Sequence, residues 1–90
     1  MTSQIITDIE IMKTIRFYLF KRFDEKGVTF LKVCETYEIS YNKWYPRIFY
    51  SGTLNLEYVN YILQLLNYTY QLKVINNEIH KVFQSKMNEI

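Results

Sequence analysis

Cysteine and histidine, two side chains that often act as nucleophiles or metal ligands, are rare in this chain. Cys34 is its one cysteine and His80 its one histidine. Cys34 is predicted to be a small buried core residue, because a reactive thiol needs exposure and nearby positive charge. No second ligand stands at metal-binding spacing from His80, which is expected on the surface or in the core. We therefore expect no metal, no cofactor and no redox role.

The sequence also gives no support for acid–base catalysis. The pair Asp24-Glu25 and the nearby Glu35 and Glu38 have no histidine, serine or lysine arranged with them as a catalytic group. These carboxylates are expected at solvated helix ends. With only two glycines, the chain also has no glycine-rich phosphate-binding loop. The sequence predicts that the protein is not an enzyme.

One stretch of the chain is locally positive. Residues 39–56 contain Lys43 and Arg47 and no acidic residue, in a chain whose formal net charge is +2. So small a net charge argues against a nucleic-acid binder driven by overall charge. A local basic face can still bind nucleic acid in a chain whose net charge is small.

Length and composition describe one small domain covering residues 1–90. The chain is 49% hydrophobic, 18% aromatic and 22% charged, which is too apolar and too aromatic for a disordered segment. A single cysteine cannot form an internal disulfide. No apolar run approaches the ~18–20 residues of a membrane helix, and no basic region leads into an apolar stretch at the start. We expect a cytoplasmic protein that does not enter a membrane.

The first half of the chain predicts three helices. The segment Thr7-Asp8-Ile9-Glu10 has the form of a capping box, in which the Thr7 hydroxyl accepts from the Glu10 amide, and Gly27 suits a left-handed end, giving a helix over 8–26. Thr29 begins a short second helix. Ser40 or Asn42 can cap a third that ends near residues 51–52, and Pro46 favours Asn42 because proline is tolerated only in the first turn.

The second half predicts a helix, a strand and a helix. Asn55 caps a strongly amphipathic fourth helix, and Asn67 is a plausible left-handed terminator. Residues 69–75 then alternate apolar and polar side chains, which is strand periodicity. An amphipathic helix follows over 78–90. A lone strand has no partner in its own chain, so it is expected to pair with its symmetry mate in a homodimer; the alternative is extended chain packed on the core.

The expected fold class is therefore mainly α: a five-helix helix-turn-helix domain with one short C-terminal strand between helices 4 and 5. Residues 8–75 would form its core, and residues 76–90 a C-terminal amphipathic helix that serves dimerisation. Two short helices joined by a tight turn and followed by a longer capped helix are the layout of that domain.

Several segments resemble the lambda-repressor-like (Cro/XRE-type) helix-turn-helix family. Val33-Cys34 matches an apolar and a small residue of the family's second helix, and Ile39-Ser40 matches the end of its turn. Residues 51–59 (SGTLNLEYV) resemble the loop that opens its fourth helix, and residues 63–68 (LQLLNY) resemble the end of that helix. Glu38 holds a turn position that is often glycine in the family, and a left-handed conformation there would cost about 1 kcal/mol.

The resemblance implies a recognition helix whose first residues face base edges in the DNA major groove. Trp44 and Ile48 should face inward. The implied base contacts are Tyr41, Asn42, Lys43 and Arg47, because asparagine can pair with adenine and arginine or lysine with guanine. The implied phosphate contacts, at helix ends and loops, are Thr29, Lys32, Ser51, Thr53 and Asn55.

The expected dimer uses the C-terminal part of the chain. Strand 69–75 and helix 78–90 would join the two copies. The residues expected there, as interface or core, are Tyr70, Leu72, Val74, Val82, Phe83 and Met87.

By this resemblance the chain would be a sequence-specific DNA-binding transcriptional regulator, most simply a repressor, of the kind that phages and mobile elements encode. It would bind double-stranded operator DNA as a homodimer. The tyrosine-rich region around Tyr41, Tyr45 and Tyr58 leaves an alternative open, because exposed tyrosines are typical of protein interfaces. In that alternative the same scaffold binds a protein partner, for example as a phage-encoded inhibitor of a host defence system.

Overall fold

The computed structural model of the chain describes residues 4–88, with the side chains of residues 4–82. Its elements run in the order strand, three helices, strand, helix. In chain order they are β1 (Ile5–Ile6), α1 (Ile9–Lys26), α2 (Phe30–Thr36), α3 (Tyr41–Phe49), β2 (Leu54–Asn55) and α4 (Leu56–Asn88).

The predicted first helix is confirmed to within one residue, but its cap is not the predicted one. Asp8 has the extended backbone of an N-cap, and its carboxylate accepts from the amides of Glu10 at 2.9 Å and Ile11 at 3.1 Å. The capping box at Thr7 is therefore wrong, since Asp8 stands one residue closer and bonds the free amides of the first turn. Gly27 ends α1 in the predicted left-handed conformation, with φ 61°.

The turn between α2 and α3 also follows local chemistry. Thr29 caps α2 as predicted, its hydroxyl oxygen accepting from the Lys32 amide at 3.1 Å. Glu38 adopts φ 55°, the left-handed conformation that the resemblance implied for this turn position. The Ile39 amide donates to the carbonyl oxygen of Cys34 at 3.0 Å, so the chain reverses within residues 37–40.

Ser40, and not Asn42, caps α3. Its hydroxyl oxygen accepts from the Lys43 amide at 3.4 Å, and its carbonyl oxygen accepts from the Trp44 amide at 3.0 Å. The preference for Asn42 is wrong because Pro46, the sixth residue of α3, is tolerated inside the helix. Proline removes a single backbone hydrogen bond, and the packing described below holds the rest of the helix in place.

The predicted strand over 69–75 and the break at Asn67 are wrong. All these residues belong to α4, which runs for 33 residues, so the chain has four helices in the described part and no strand follows the fourth. Leu65, Leu66 and Thr69 are buried, and the Thr69 hydroxyl donates to the Leu65 carbonyl oxygen at 2.7 Å. Burial therefore accounts for the helix only as far as Tyr70. From Gln71 onward the side chains are exposed, and the helix continues because extending an existing helix is easier than starting a new element.

The strands that do form are β1 and β2, which pair antiparallel with Ile5 opposite Asn55 and Ile6 opposite Leu54. Leu54 is fully buried, so its burial explains why the segment before α4 is extended. The pair ties the start of the chain to the loop between α3 and α4. Neither strand shows enough periodicity to be predicted, because each has only two residues.

Each of the longer elements contributes to one core. The largest fully buried side chains come from all four helices and from β2: Leu19, Val33, Cys34, Ile48, Leu54, Ile62 and Leu66. Among the residues that the structure describes, none of the helices combines the length and the apolar character needed to cross a membrane.

The left-handed Glu38 gives a test of the turn. Glu38→Gly should raise the free energy of unfolding by about 1 kcal/mol, because glycine adopts positive φ without a Cβ clash. Glu35→Gly is the matched control. Residue 35 is helical, so the same exchange should lower the free energy of unfolding by about 1 kcal/mol. Urea unfolding followed by circular dichroism measures both. Equal losses in the two variants would contradict the turn geometry.

Candidate nucleic-acid interface

α3 has a buried side and an exposed side. Ile48 is fully buried, and Trp44 and Tyr45 are half-buried. The spacing of these residues at i, i+1 and i+4 leaves positions 42, 43, 46 and 47 on the other side of the helix, and all four are exposed. Three of the four predicted base contacts, Asn42, Lys43 and Arg47, are among them.

Tyr41, the fourth predicted base contact, is only partly available. Its ring stacks on Tyr45 with centroids 5.3 Å apart and lies 5.8 Å from the ring of Phe30. Phe30 in turn contacts Phe49 at 5.4 Å and Phe23 at 5.9 Å. Tyr41 thus belongs to the edge of an aromatic cluster that joins α1, α2 and α3.

Arg47 is held against two aromatic rings. Its guanidinium carbon lies 5.6 Å from the centroid of Trp44 and 5.7 Å from that of Tyr58 on α4. Trp44 and Tyr58 also contact each other at 5.3 Å. A cation–π contact of this kind uses none of the guanidinium N–H groups, which remain able to donate. The side chain is therefore pre-positioned and its hydrogen-bonding edge remains available.

The end of α3 is fixed by a residue that the sequence analysis did not single out. Arg16 on α1 donates from Nε to the carbonyl oxygen of Ile48 at 2.9 Å, and from Nη2 to that of Ser51 at 2.6 Å. Arg16 falls on the helical stripe of Met12, Leu19 and Phe23, at spacings of four, three and four residues. A charge on a buried stripe requires a partner, and that position was the sequence signal for this role.

The predicted phosphate contacts fall into two groups. Thr29 and Lys32 are exposed at the start of α2, before the turn; Ser51, Thr53 and Asn55 follow the end of α3, where only Thr53 is exposed. Most of these residues also serve the fold. The Asn55 side-chain oxygen accepts from the Glu57 amide at 2.9 Å and caps α4 as predicted, and the Ser51 hydroxyl oxygen accepts from the Thr53 amide at 3.3 Å.

Lys32 faces α4 across a groove of about 570 Å³ that Lys73, Asn76 and Asn77 also line. Lys73 donates to the Gly27 carbonyl oxygen at 3.2 Å. Positive charge at this end of α2 thus comes from two elements. Glu38, exposed in the turn just before α3, places one negative charge at that end of the helix.

The residues expected at a dimer interface are not equivalent in the structure. Tyr70 is half-buried, and the Lys26 ammonium lies 4.3 Å from its ring centroid, so it packs within its own chain. Leu72, Val74 and Val82 are exposed. The side chains of Phe83 and Met87 lie outside the described residues. Strand pairing between two copies is wrong, because residues 69–75 are helical.

Cys34 is buried, as predicted, with 2% of its surface exposed. Burial raises the pKa of its thiol, and the negative charge of Glu35 raises it further. The thiolate needed for nucleophilic chemistry is therefore disfavoured. Within residues 4–82 no group of three or more histidine, cysteine, aspartate or glutamate side chains could hold a metal ion.

Comparison of the chain with protein-family models, with curated protein sequences and with solved structures finds no match in any of the three.

The anchoring of α3 by Arg16 can be measured. Arg16→Met should lower the free energy of unfolding by about 2–3 kcal/mol, because two charge-assisted hydrogen bonds are lost and two carbonyl groups lose their donor. The control is Arg22→Met, since Arg22 makes a partly exposed pair with Glu25 at 3.0 Å. That loss should stay within about 0.5 kcal/mol. Urea unfolding compares them, and equal effects would contradict a special role for Arg16.

Proposed function

We propose that the chain is a sequence-specific DNA-binding transcriptional regulator that places α3 in the major groove. The observation that carries the proposal is the outer side of α3, where Asn42, Lys43 and Arg47 are exposed together on a helix fixed from behind. The two helices α2 and α3, joined by a four-residue turn, have the order and lengths of a helix-turn-helix unit. A helix of this kind fits a groove about 12 Å wide.

The chemistry of the three exposed side chains suits base edges. Asn42 can donate to and accept from adenine, while Lys43 and Arg47 can donate to the two acceptors of guanine. Because Arg47 already lies over two rings at cation–π distance, it loses less side-chain freedom on binding than a free arginine would. Tyr41, at the rim of the aromatic cluster, would contact the edge of a neighbouring base beside Asn42, Lys43 and Arg47.

Phosphate contacts would fix the position of the protein on the duplex. Lys32 and the hydroxyl of Thr29 supply donors on one flank of α3, and Thr53, Ser51 and the side-chain amide of Asn55 supply them on the other. With few lysines and arginines involved, the electrostatic part of binding is small, so base contacts must supply much of the affinity.

The regulator binds as a homodimer in this proposal. Two copies of α3 would enter successive major grooves about 34 Å apart on a near-palindromic operator. Repression would follow from blocking polymerase at that site. Such a regulator works in the cytoplasm beside the DNA it binds, and the resemblance to phage and mobile-element regulators points to a genome of that kind.

A second candidate function, binding a protein partner, is favoured by one feature. Phe17 is 70% exposed and Tyr50 84% exposed. Phe20, also exposed, stacks on Phe49 at 4.7 Å beside an apolar groove of about 480 Å³. Exposed apolar patches of this kind mark protein interfaces in many proteins. An inhibitor that reuses the helix-turn-helix scaffold, such as a phage-encoded inhibitor of host defence, would use this surface in place of the outer side of α3.

The two candidates predict opposite results in a selection from random DNA. The chain is incubated with a pool of random duplexes, bound sequences are enriched, and affinity is measured by fluorescence anisotropy at low and at raised salt. The triple variant Asn42→Ala, Lys43→Ala and Arg47→Ala should bind the enriched duplex about 100-fold more weakly or worse, since each base contact contributes about 1–3 kcal/mol. Circular dichroism checks that the variant folds.

A charge-matched control separates base recognition from simple charge loss. Lys13→Ala with Lys21→Ala removes two exposed positive charges from α1, and we expect a change below about threefold. If no sequence is enriched at low salt, or if the control loses as much affinity as the triple variant, the DNA-binding proposal fails.

A further inference from the structure

The groove between α2 and residues 69–77 of α4 has the size of a small-molecule site. Its volume is about 570 Å³, and sites for small ligands commonly measure ~300–1,000 Å³. We refer to it as the α2–α4 groove. The residues that line it with a hydroxyl, amide or ammonium group in the side chain are Lys32, Thr36, Thr69, Lys73, Asn76 and Asn77.

The α2–α4 groove is positively charged. Of the nine described residues that line it, two are lysines and none is acidic. Lys32 belongs to α2 and Lys73 to α4, so positive charge comes from both walls. Neither lysine forms a salt bridge with another residue in the range 4–82. An anion in the groove would therefore meet two positive charges that no carboxylate of these residues neutralises.

The Lys73 ammonium is held in place by the loop before α2. It donates to the Gly27 carbonyl oxygen at 3.2 Å. A Cβ at position 27 would lie only 3.1 Å from the Lys73 nitrogen, so the glycine leaves room for this approach. An ammonium group has three N–H donors. The bond to Gly27 uses one of them, and the charge is thus fixed at the groove while two donors remain for a ligand.

The other polar side chains differ in what they can still donate. The hydroxyls of Thr36 and Thr69 each donate to a backbone carbonyl oxygen of the preceding turn, both at 2.7 Å. The side-chain amides of Asn76 and Asn77 make no hydrogen bond with residues 4–82. The donors that remain for a ligand are therefore the two lysines and the two asparagines, which suit an acceptor with several oxygens.

The charge and the wall of the groove favour one kind of anion. A phosphomonoester carries about −1.5 to −2 charge at pH 7 and has three acceptor oxygens, so it matches two ammonium groups. A carboxylate has one charge and pairs best with the planar fork of arginine. Each phosphate of a DNA backbone also has one charge. Val28 and Leu72 line the same groove and offer apolar surface to an ester group.

We propose that the α2–α4 groove binds a small phosphomonoester. The phosphate lies between Lys32 and Lys73 and accepts from the asparagine amides, and the ester group lies against Leu72. Binding itself involves no DNA. Its regulatory consequence rests on the proposed function, in which Lys32 also contacts a phosphate of the duplex. A bound ligand would occupy that lysine and weaken operator binding.

Titration of the ¹⁵N-labelled chain with phenyl phosphate tests the site, since this probe joins a phosphate dianion to an apolar ester group. At pH about 7.5 and constant ionic strength, we expect saturable amide shifts at residues 27–28, 32, 36 and 69–77, with a Kd of about 1 mM or below. Sodium chloride at the same ionic strength is the control. No saturable shift up to about 20 mM, or equal shifts with the chloride, overturns the proposal.

Two matched comparisons test the class of ligand. Methyl phosphate and dimethyl phosphate differ by one methyl group and one negative charge, and the diester should bind at least about fivefold more weakly. Phenyl phosphate should bind at least about threefold more tightly than methyl phosphate, because its ring covers the apolar wall. Equal binding of the diester overturns the assignment to monoesters, and so do shifts at residues 72–77 caused by duplex DNA.

Single lysine variants locate the charge. Lys32→Gln removes one charge from a side chain that no residue in the range 4–82 pairs with, and it should weaken phenyl phosphate at least about fivefold. Lys73→Gln should do the same, with circular dichroism to check its fold. The control is Lys13→Gln, exposed on α1 about 21 Å from Gly27, which should stay within about twofold. Unchanged affinity in Lys32→Gln, or equal weakening in the control, overturns the proposal.

The outcomes separate this proposal from the proposed function. Phosphomonoester binding in the groove while no duplex is enriched in the selection supports the groove and rejects the regulator. An enriched duplex without phosphomonoester binding rejects the groove and leaves DNA recognition standing. If both bind, phenyl phosphate should weaken duplex binding by the unaltered chain but not by Lys32→Gln. Equal weakening in the two proteins overturns the regulatory consequence.

Discussion

The exposed side of α3 depends on how that helix is held from behind. α3 has nine residues and an internal proline, and so short a helix has little stability of its own. Burial of Ile48 fixes one side of it. The two hydrogen bonds from Arg16 to the carbonyl oxygens of Ile48 and Ser51 fix its end. These contacts act on backbone and core atoms, so they orient the helix without using any of its exposed side chains.

The aromatic residues around α3 form two groups of contacts, one with α2 and one with α4. Phe30 joins α2 to α3 through ring contacts on the inner side, whereas Trp44 and Tyr58 join α3 to α4. The second pair also contacts Arg47, so the rings that pack α3 against α4 also lie under the exposed arginine that we propose contacts DNA. The pair of two-residue strands ties the loop after α3 to the start of the chain. A rigid outer surface on a short helix is the result.

Local signals in the sequence predicted the parts of the fold that depend on local chemistry. The ends marked by Gly27 and Thr29 and the inward Ile48 follow from capping preferences and apolar spacing within short segments. The left-handed Glu38 was implied by the resemblance, because glutamate itself does not favour positive φ. The strand assigned to 69–75 failed because alternation over seven residues is too short to exclude a helix. A helix already packed through Leu65, Leu66 and Thr69 extends more easily than a new strand begins. Pairing of the two short strands depends on contacts about 50 residues apart, which no local pattern records.

The most direct measurement is a ¹H–¹⁵N correlation spectrum of the labelled chain during titration with duplex DNA. Exposure of Asn42, Lys43 and Arg47 on a fixed helix predicts that the largest shifts occur at the amides of residues 41–45 and 47, with a second group at Thr29 and Lys32. Amides of residues 72–88, in the second half of α4, should not respond to the duplex. Shifts confined to the surface around Phe17 and Phe20, or no shifts at all, would contradict recognition of DNA by α3.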